Sequence, residues 1–164
     1  MKRLLLPLLL GVLCPSFLWA APAMVVRPTP NVQWLDANGK AQSLTAFRGQ
    51  PVVVVIARSP RDWTFRSQVG QLQQMYQRLA DQRLVCVAAF TQEPGLIRSN
   101  IPFVVAADGP RVAYDFQEAE ARFAIAFIGR DGNLDYITNR VVPAQRALDI
   151  LGNSFVTQTL LRRP

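Results

Sequence analysis

Histidine is absent from this 164-residue chain, and cysteine occurs only twice, as Cys14 and Cys86. The absence of histidine removes the commonest general base, the commonest zinc ligand and the usual partner of a nucleophilic serine. Asp62 and Glu93 do not form a recognisable carboxylate pair, and no group of acidic residues has the spacing of a metal site. The sequence therefore predicts no metal and no cofactor.

Acidic residues are absent before Asp36. The chain begins "MKRLLL", continues with a leucine-rich stretch and reaches "WAAPA", which is the pattern of a secretory signal peptide. We predict a signal peptide over residues 1–23, cleaved after Ala20 or Ala23, and a single domain over residues 24–164. The predicted mature protein is exported, either to a periplasm or out of the cell.

Two other interpretations of the N-terminus are weaker. A membrane anchor is disfavoured because two prolines and a glycine interrupt an apolar run that is short for a span. Lipidation at Cys14 is disfavoured because Leu13 is bulky where a lipoprotein site needs a small residue. Signal cleavage would remove Cys14 and any transmembrane anchor. It would leave Cys86 as the single cysteine, with no internal disulfide and no dithiol pair.

Lysine is also scarce, and Lys40 is the only one in the predicted mature chain. Cleavage removes two of the 18 basic side chains and lowers the net charge from +7 to about +5. This excess favours acidic partners, such as an unknown protein, an anionic ligand or an anionic envelope surface. The arginines are scattered, whereas a nucleic-acid binder more often has a basic stripe with interleaved aromatic residues. No nucleic-acid partner is expected.

Apolar runs alternate with amphipathic segments along the rest of the chain. "VQWLDANGKAQSL" has the pattern of a hairpin turning at Asn38-Gly39. "PVVVVIA" and "RLVCVAAF" are continuous apolar runs, typical of strands buried on both faces. Between them we predict a helix ending near Gln82, with apolar residues at steps of three and four and glutamines on its other face.

The second half continues this alternation. "IPFVVAAD" predicts an extended piece, "PRVAYDF" a brief helix starting near Asp108, and "FAIAFIGRDGNLDYIT" two strands joined by a turn. A last helix is predicted to begin with Pro143 in its first position and to bury Leu148, Leu151 and Phe155. The order predicts an α/β fold, a three-layer α/β/α sandwich with a mixed central β-sheet.

Several of these segments resemble thioredoxin-fold redoxins. "LDANGKAQSLTAFRGQPVVVVIA" resembles their opening, and "SPRDWTF" resembles the peroxiredoxin motif Pro-x-x-x-Thr-x-x-Cys of the alkyl hydroperoxide reductase and thiol-specific antioxidant family. "IPFVVAADGPRVAYDF" and "VVPAQRALDIL" are similar to later segments of that family. "FIGRDG" is closer to a turn of exported, cysteine-poor thioredoxin-like proteins. The resemblance implies a thioredoxin-like fold over nearly all of residues 31 to 151.

The resemblance also implies a vestigial active-site pocket of Pro60, Thr64, Ser67 and Arg122. In peroxiredoxins the cysteine that closes the motif attacks peroxide, and a helix N-terminus and an arginine favour its thiolate. Here Ser67 stands at the cysteine, and Arg122 lies two residues before the arginine position, on the same face of the predicted strand. A serine hydroxyl ionises too weakly and has no thiol oxidation chemistry, so the implied protein is a degenerate family member without the peroxidatic cysteine.

Two side chains have both a reactive and an inert interpretation. Ser67 has no histidine and no evident lysine base, so we interpret it as a residue that caps or lines the first helical turn. Cys86 is a candidate reactive thiol. Because Val85 and Val87 flank it in a core strand, we favour a buried small hydrophobic residue.

A candidate partner-binding or anion-binding mouth surrounds the start of the predicted helix. Arg58, Arg61 and Arg66 would add positive charge to a helix N-terminus with unpaired N–H groups, which suits a carboxylate, a phosphate or an acidic side chain. The alternative is three solvated arginines, one of them paired with Asp62. Trp63 would be either a contact anchor or a cover over the core.

Three hypotheses follow for function. The first is an exported redoxin-like protein without peroxidase or disulfide-exchange activity, acting as a binding or structural module through the former active-site loop. The second is a thiol-dependent antioxidant enzyme or oxidoreductase that uses Cys86 or a partner thiol. The third is an envelope-surface protein held mainly by its basic charge. The substitution at Ser67 favours the first hypothesis.

Overall fold

The computed structural model describes residues 27–36, 38–80 and 83–153, which form eight β-strands and three α-helices. The strands are β1 (Arg27–Pro28), β2 (Gln33–Leu35), β3 (Ala41–Ser43), β4 (Val52–Ala57), β5 (Val85–Phe90), β6 (Phe103–Val105), β7 (Phe123–Ile128) and β8 (Asn133–Thr138). The helices are α1 (Trp63–Leu79), α2 (Gly109–Asp115) and α3 (Ala144–Gly152). No helix in these ranges is both long and apolar enough to cross a membrane. The predicted signal peptide and the predicted helical residues Gln82 and Phe155 lie outside them.

Six of the strands form one mixed sheet in the order β1-β8-β7-β4-β5-β6. β4 lies inside this sheet and pairs in parallel with β5 and antiparallel with β7. All six residues of β4 are buried, which explains why its sequence is a continuous apolar run and not an alternating pattern. The predicted mixed central sheet is confirmed.

Alternate residues of β4 pack into two separate cores. Val53 and Val55 lie in one core with the buried faces of α1 and α3, and Val54 and Ile56 lie in the other with α2. The division follows from the alternation of side chains along a strand. The result is the predicted three-layer α/β/α sandwich.

A short hairpin, β2 and β3, is separate from the main sheet. Gly39 in its turn has a φ of +73°, a conformation that glycine adopts without strain. The Asp36 carboxylate accepts hydrogen bonds from the Lys40 N–H at 2.9 Å, the Gln42 side chain at 3.1 Å and the Asn38 N–H at 2.9 Å, and these bonds lower the pKa of Asp36. The hairpin predicted around Asn38-Gly39 is confirmed.

Two details of the helices differ from the prediction. We expected the glutamines of α1 to face solvent, but Gln68 is fully buried. Its side-chain amide donates to the Val142 carbonyl oxygen at 3.1 Å, and its Oε1 accepts from the Val142 N–H at 2.7 Å. The buried backbone before α3 needs these partners. Pro143 occupies the N-cap of α3 and not its first helical position.

Candidate functional site

The connection from β4 to α1 is a loop held by its own side chains. The Asp62 carboxylate accepts from the Arg58 N–H at 3.2 Å and from the Ser59 hydroxyl at 3.4 Å. The Ser59 hydroxyl in turn accepts from the Arg61 N–H at 3.2 Å. Asp62 is the N-cap residue of α1, yet its side chain makes no hydrogen bond to the helix. Within the described part of the chain, the first N–H groups of α1 therefore have no side-chain cap.

The residues of the predicted vestigial pocket lie at the start of α1 and just before β7. Thr64 and Ser67 are the second and fifth residues of α1 and are half-buried. Among the described residues, neither side chain has a hydrogen bond with another protein group. Ser67 lies in the second turn and Asp62 holds the cap position, so the expectation that Ser67 caps or lines the first turn is wrong. Arg122 is exposed and precedes β7, whereas we expected it to lie within that strand.

The arginines of the predicted mouth are free of ion pairs within the described ranges. Arg61 and Arg66 are exposed, and Arg58 is half-buried. The expected alternative, a pair with Asp62, does not form because the Asp62 carboxylate is engaged by the loop. The Trp63 side chain is 70% exposed, so it does not cover the core.

Pro60, Arg61 and Arg66 line a groove of about 640 Å³ between α1 and the segment that follows β5. We call it the α1 groove. Its apolar lining includes Phe65, Val69, Pro94 and Leu96, and its charged lining consists of Arg61, Arg66, Glu93 and Arg98. The sequence patterns did not indicate the contribution of residues 93–98. Their only signal is a long connection, 91–102, between two strands that pair in parallel.

Backbone and side-chain hydrogen bonds hold the two walls of the α1 groove together. The N–H of Thr91 donates to the Ala57 carbonyl at 2.9 Å, and those of Gln92 and Glu93 donate to the Arg58 carbonyl at 3.0 Å. At the other end of the segment, the Gln73 side chain donates to Asn100 Oδ1 at 2.6 Å.

The absence of a side chain at Gly95 allows the same segment to approach Pro60. A Cβ at Gly95 would lie 3.2 Å from Pro60 Cγ, closer than most real Cβ contacts. Together with the hydrogen bonds on either side, this close approach positions one wall of the groove.

Cys86 lies far from this loop in the sheet. It is the second residue of β5, pairs with Val53 and is 2% exposed. Ala57, at the loop end of β4, pairs with Phe90 four residues further along β5. Burial raises the pKa of the Cys86 thiol to about 12. This environment argues against a reactive thiol.

A carboxylate in the turn between β7 and β8, that of Asp131, lies near a carboxylate in β8, that of Asp135. Asp131 accepts from the N–H and the side-chain amide of Asn133 at 3.1 and 2.7 Å. The pairing of β7 with β8 skips Asp135, whose Oδ2 is buried without a hydrogen-bond partner in the described part of the chain. Desolvation, followed by the charge of Asp131, raises the pKa of Asp135 to about 6. No set of three or more metal-ligating side chains is present in the described ranges.

Comparison with known proteins gives structural relatives but no sequence family. No family model and no curated protein matches the chain. A DsbF homologue from Corynebacterium diphtheriae matches with a TM-score of 0.62 at 16% identity, covering 77% of this chain and 85% of that one. A pneumococcal exposed lipoprotein thioredoxin from Streptococcus pneumoniae gives 0.54 at 12%, covering 73% and 96%. A secreted thiol-disulfide isomerase from Corynebacterium glutamicum gives 0.56 at 13%, covering 74% and 81%.

These matches define the class of protein by its architecture. The chain has a thioredoxin-like α/β fold, as predicted. At such low identities the likeness concerns the fold alone. The three neighbours are described as a DsbF homologue, a thioredoxin and a thiol-disulfide isomerase, so the peroxiredoxin part of the resemblance stays a prediction.

Proposed function

We propose that this protein is an exported thioredoxin-fold binding module that keeps the redoxin scaffold without peroxidase or disulfide-exchange activity. The observation that carries the proposal is that the single cysteine of the predicted mature chain lies away from the loop between β4 and α1. A hydroxyl group, that of Ser67, stands near the start of α1, and Cys86 is buried in β5 with a pKa of about 12.

The chemistry of both related classes needs a thiolate at this loop. Peroxiredoxins reduce peroxide with one cysteine, and thiol-disulfide exchange starts from an accessible thiolate. The dipole of α1 would stabilise a thiolate there, but it does not bring the hydroxyl of Ser67, which has no histidine or lysine beside it in sequence, into the range of ionisation. Descent from either class therefore leads to the same proposal, a scaffold with a degenerate active site.

Export is part of the proposal. Its support is the predicted signal peptide over residues 1–23, followed by the single domain over residues 24–164. Two of the structural neighbours are described as exposed or secreted, which agrees with an exported protein.

Peroxide consumption by the mature protein with excess dithiothreitol tests the proposal, with insulin reduction as the assay for disulfide exchange. We expect the wild type and Cys86→Ala to be equally inactive. Ser67→Cys is the matched gain-of-function variant, since it restores the sulfur that the motif lacks. Activity of the wild type that disappears in Cys86→Ala would establish the thiol-dependent enzyme instead.

A further inference from the structure

The lining of the α1 groove carries an excess of positive charge. Arg61, Arg66 and Arg98 are exposed, and none of them forms an ion pair within the described residues. Of the described residues that line the groove, Glu93 is the one with a carboxylate. Guanidinium groups bind carboxylates in a planar, bidentate geometry, so three unpaired arginines around one groove favour an occupant with several carboxylates.

The apolar lining adds a second requirement. Leu96 is 87% exposed and lines the groove together with Pro60 and Pro94. One exposed leucine is ordinary on a protein surface. Within a concave site, however, it offers an apolar contact that inorganic phosphate or a small carboxylate would leave uncovered. The occupant should therefore carry apolar as well as acidic groups.

The walls of the groove are fixed in advance, which lowers the entropy lost on binding. The hydrogen bonds from Thr91, Gln92 and Glu93 fix one end of the segment to β4, and the Gln73–Asn100 bond fixes the other end to α1. A volume of about 640 Å³ is within the range of small-ligand pockets and suits a few residues of an extended chain.

We propose that the α1 groove binds an extended segment of a partner protein in which acidic residues flank an apolar side chain. The arginines would bind the carboxylates and Leu96 would contact the apolar side chain. Glu93 disfavours an unbroken acidic run, so the carboxylates should be separated. This inference rests on the proposed binding function and specifies its ligand.

Selection from random 12-residue peptides displayed on phage tests the inference, using the mature protein as bait. We expect enrichment of peptides with Asp or Glu on either side of Leu, Ile or Phe. Enrichment of other compositions, or no enrichment, would overturn the inference. The peroxide assay tests the proposed loss of thiol chemistry separately, whichever result the peptide selection gives.

Charge reversal then locates the site. For the enriched peptide, measured by fluorescence anisotropy, Arg66→Glu and Arg98→Glu should each weaken binding about tenfold, and Leu96→Ser should also weaken it. Arg140→Glu is the matched control, because Arg140 is exposed and outside the groove lining. The melting temperatures of the exposed-site variants should not change.

Three competing results would contradict the inference. Equal weakening by Arg140→Glu and the groove variants would indicate attraction by net charge alone. Displacement of the peptide by millimolar inorganic phosphate would indicate a simple anion site. Binding to vesicles containing phosphatidylglycerol, with the same dependence on Arg66 and Leu96, would indicate a membrane surface as the partner.

Discussion

At the scale of single residues, Asp135 predicts an unusual pH dependence of stability. Its pKa is raised from 3.8 to about 6 in the folded state, so the folded protein binds this proton more tightly than the unfolded chain. The contribution of Asp135 to the free energy of unfolding should therefore be largest below about pH 4, fall as the pH rises from about 4 to 6, and stay constant above. Asp135→Asn should remove this slope and stabilise the protein at pH 7 by about 1–2 kcal/mol, a value reduced for partial exposure.

Urea denaturation between pH 4 and 7 measures this effect. Asp149→Asn, in α3 and exposed, is the control that should keep the slope. The lowered pKa of Asp36 has the opposite effect, because it makes the free energy of unfolding fall as the pH drops below about 4. The two effects therefore occur in separate pH ranges. A wild-type curve that is flat from pH 4 to 6 would contradict the assignment.

A second residue-scale prediction concerns Gln68. Replacement by Leu keeps the apolar bulk but leaves both the N–H and the carbonyl of Val142 without partners. A cost of about 2–5 kcal/mol is expected, since each unsatisfied buried group costs about 1–3 kcal/mol. Gln74→Leu, on the exposed face of α1, should change stability by less than about 0.5 kcal/mol. Similar losses in both variants would show that the buried amide is not needed.

At the scale of elements, the close contact between α2 and β5 depends on Gly109. A Cβ there would lie 1.9 Å from the Phe90 carbonyl oxygen, which is backbone and cannot rotate away. Gly109→Ala should therefore cost more than about 3 kcal/mol by lifting α2 off the sheet. Gly70→Ala is the control: the site is helical with nothing within 4 Å, so alanine should gain about 0.5–1 kcal/mol. Thermal unfolding of both variants measures the contrast.

The strands, helices and loops also differ in how well the sequence predicted them. β4 and β5 were predictable because burial on both faces leaves a continuous apolar run, and the hairpin was predictable because Asn38-Gly39 has local turn chemistry. Gln68 was not predictable, because its partner lies 74 residues away. The wall formed by residues 93–98 was missed for a similar reason: backbone hydrogen bonds to Ala57 and Arg58 position it, and these leave no side-chain pattern.

At the scale of the whole molecule, the predicted mature protein should be indifferent to redox conditions. It has one cysteine, so no internal disulfide can form, and a thiol pKa of about 12 leaves roughly one thiolate in ten thousand at pH 8. Melting temperatures with dithiothreitol and with hydrogen peroxide should agree. Iodoacetamide should label Cys86 only after denaturation. Labelling of the folded protein at the rate of a free thiol would mean that β5 opens and exposes Cys86. Cys86 could then serve as the nucleophile that the thiol-dependent enzyme hypothesis requires.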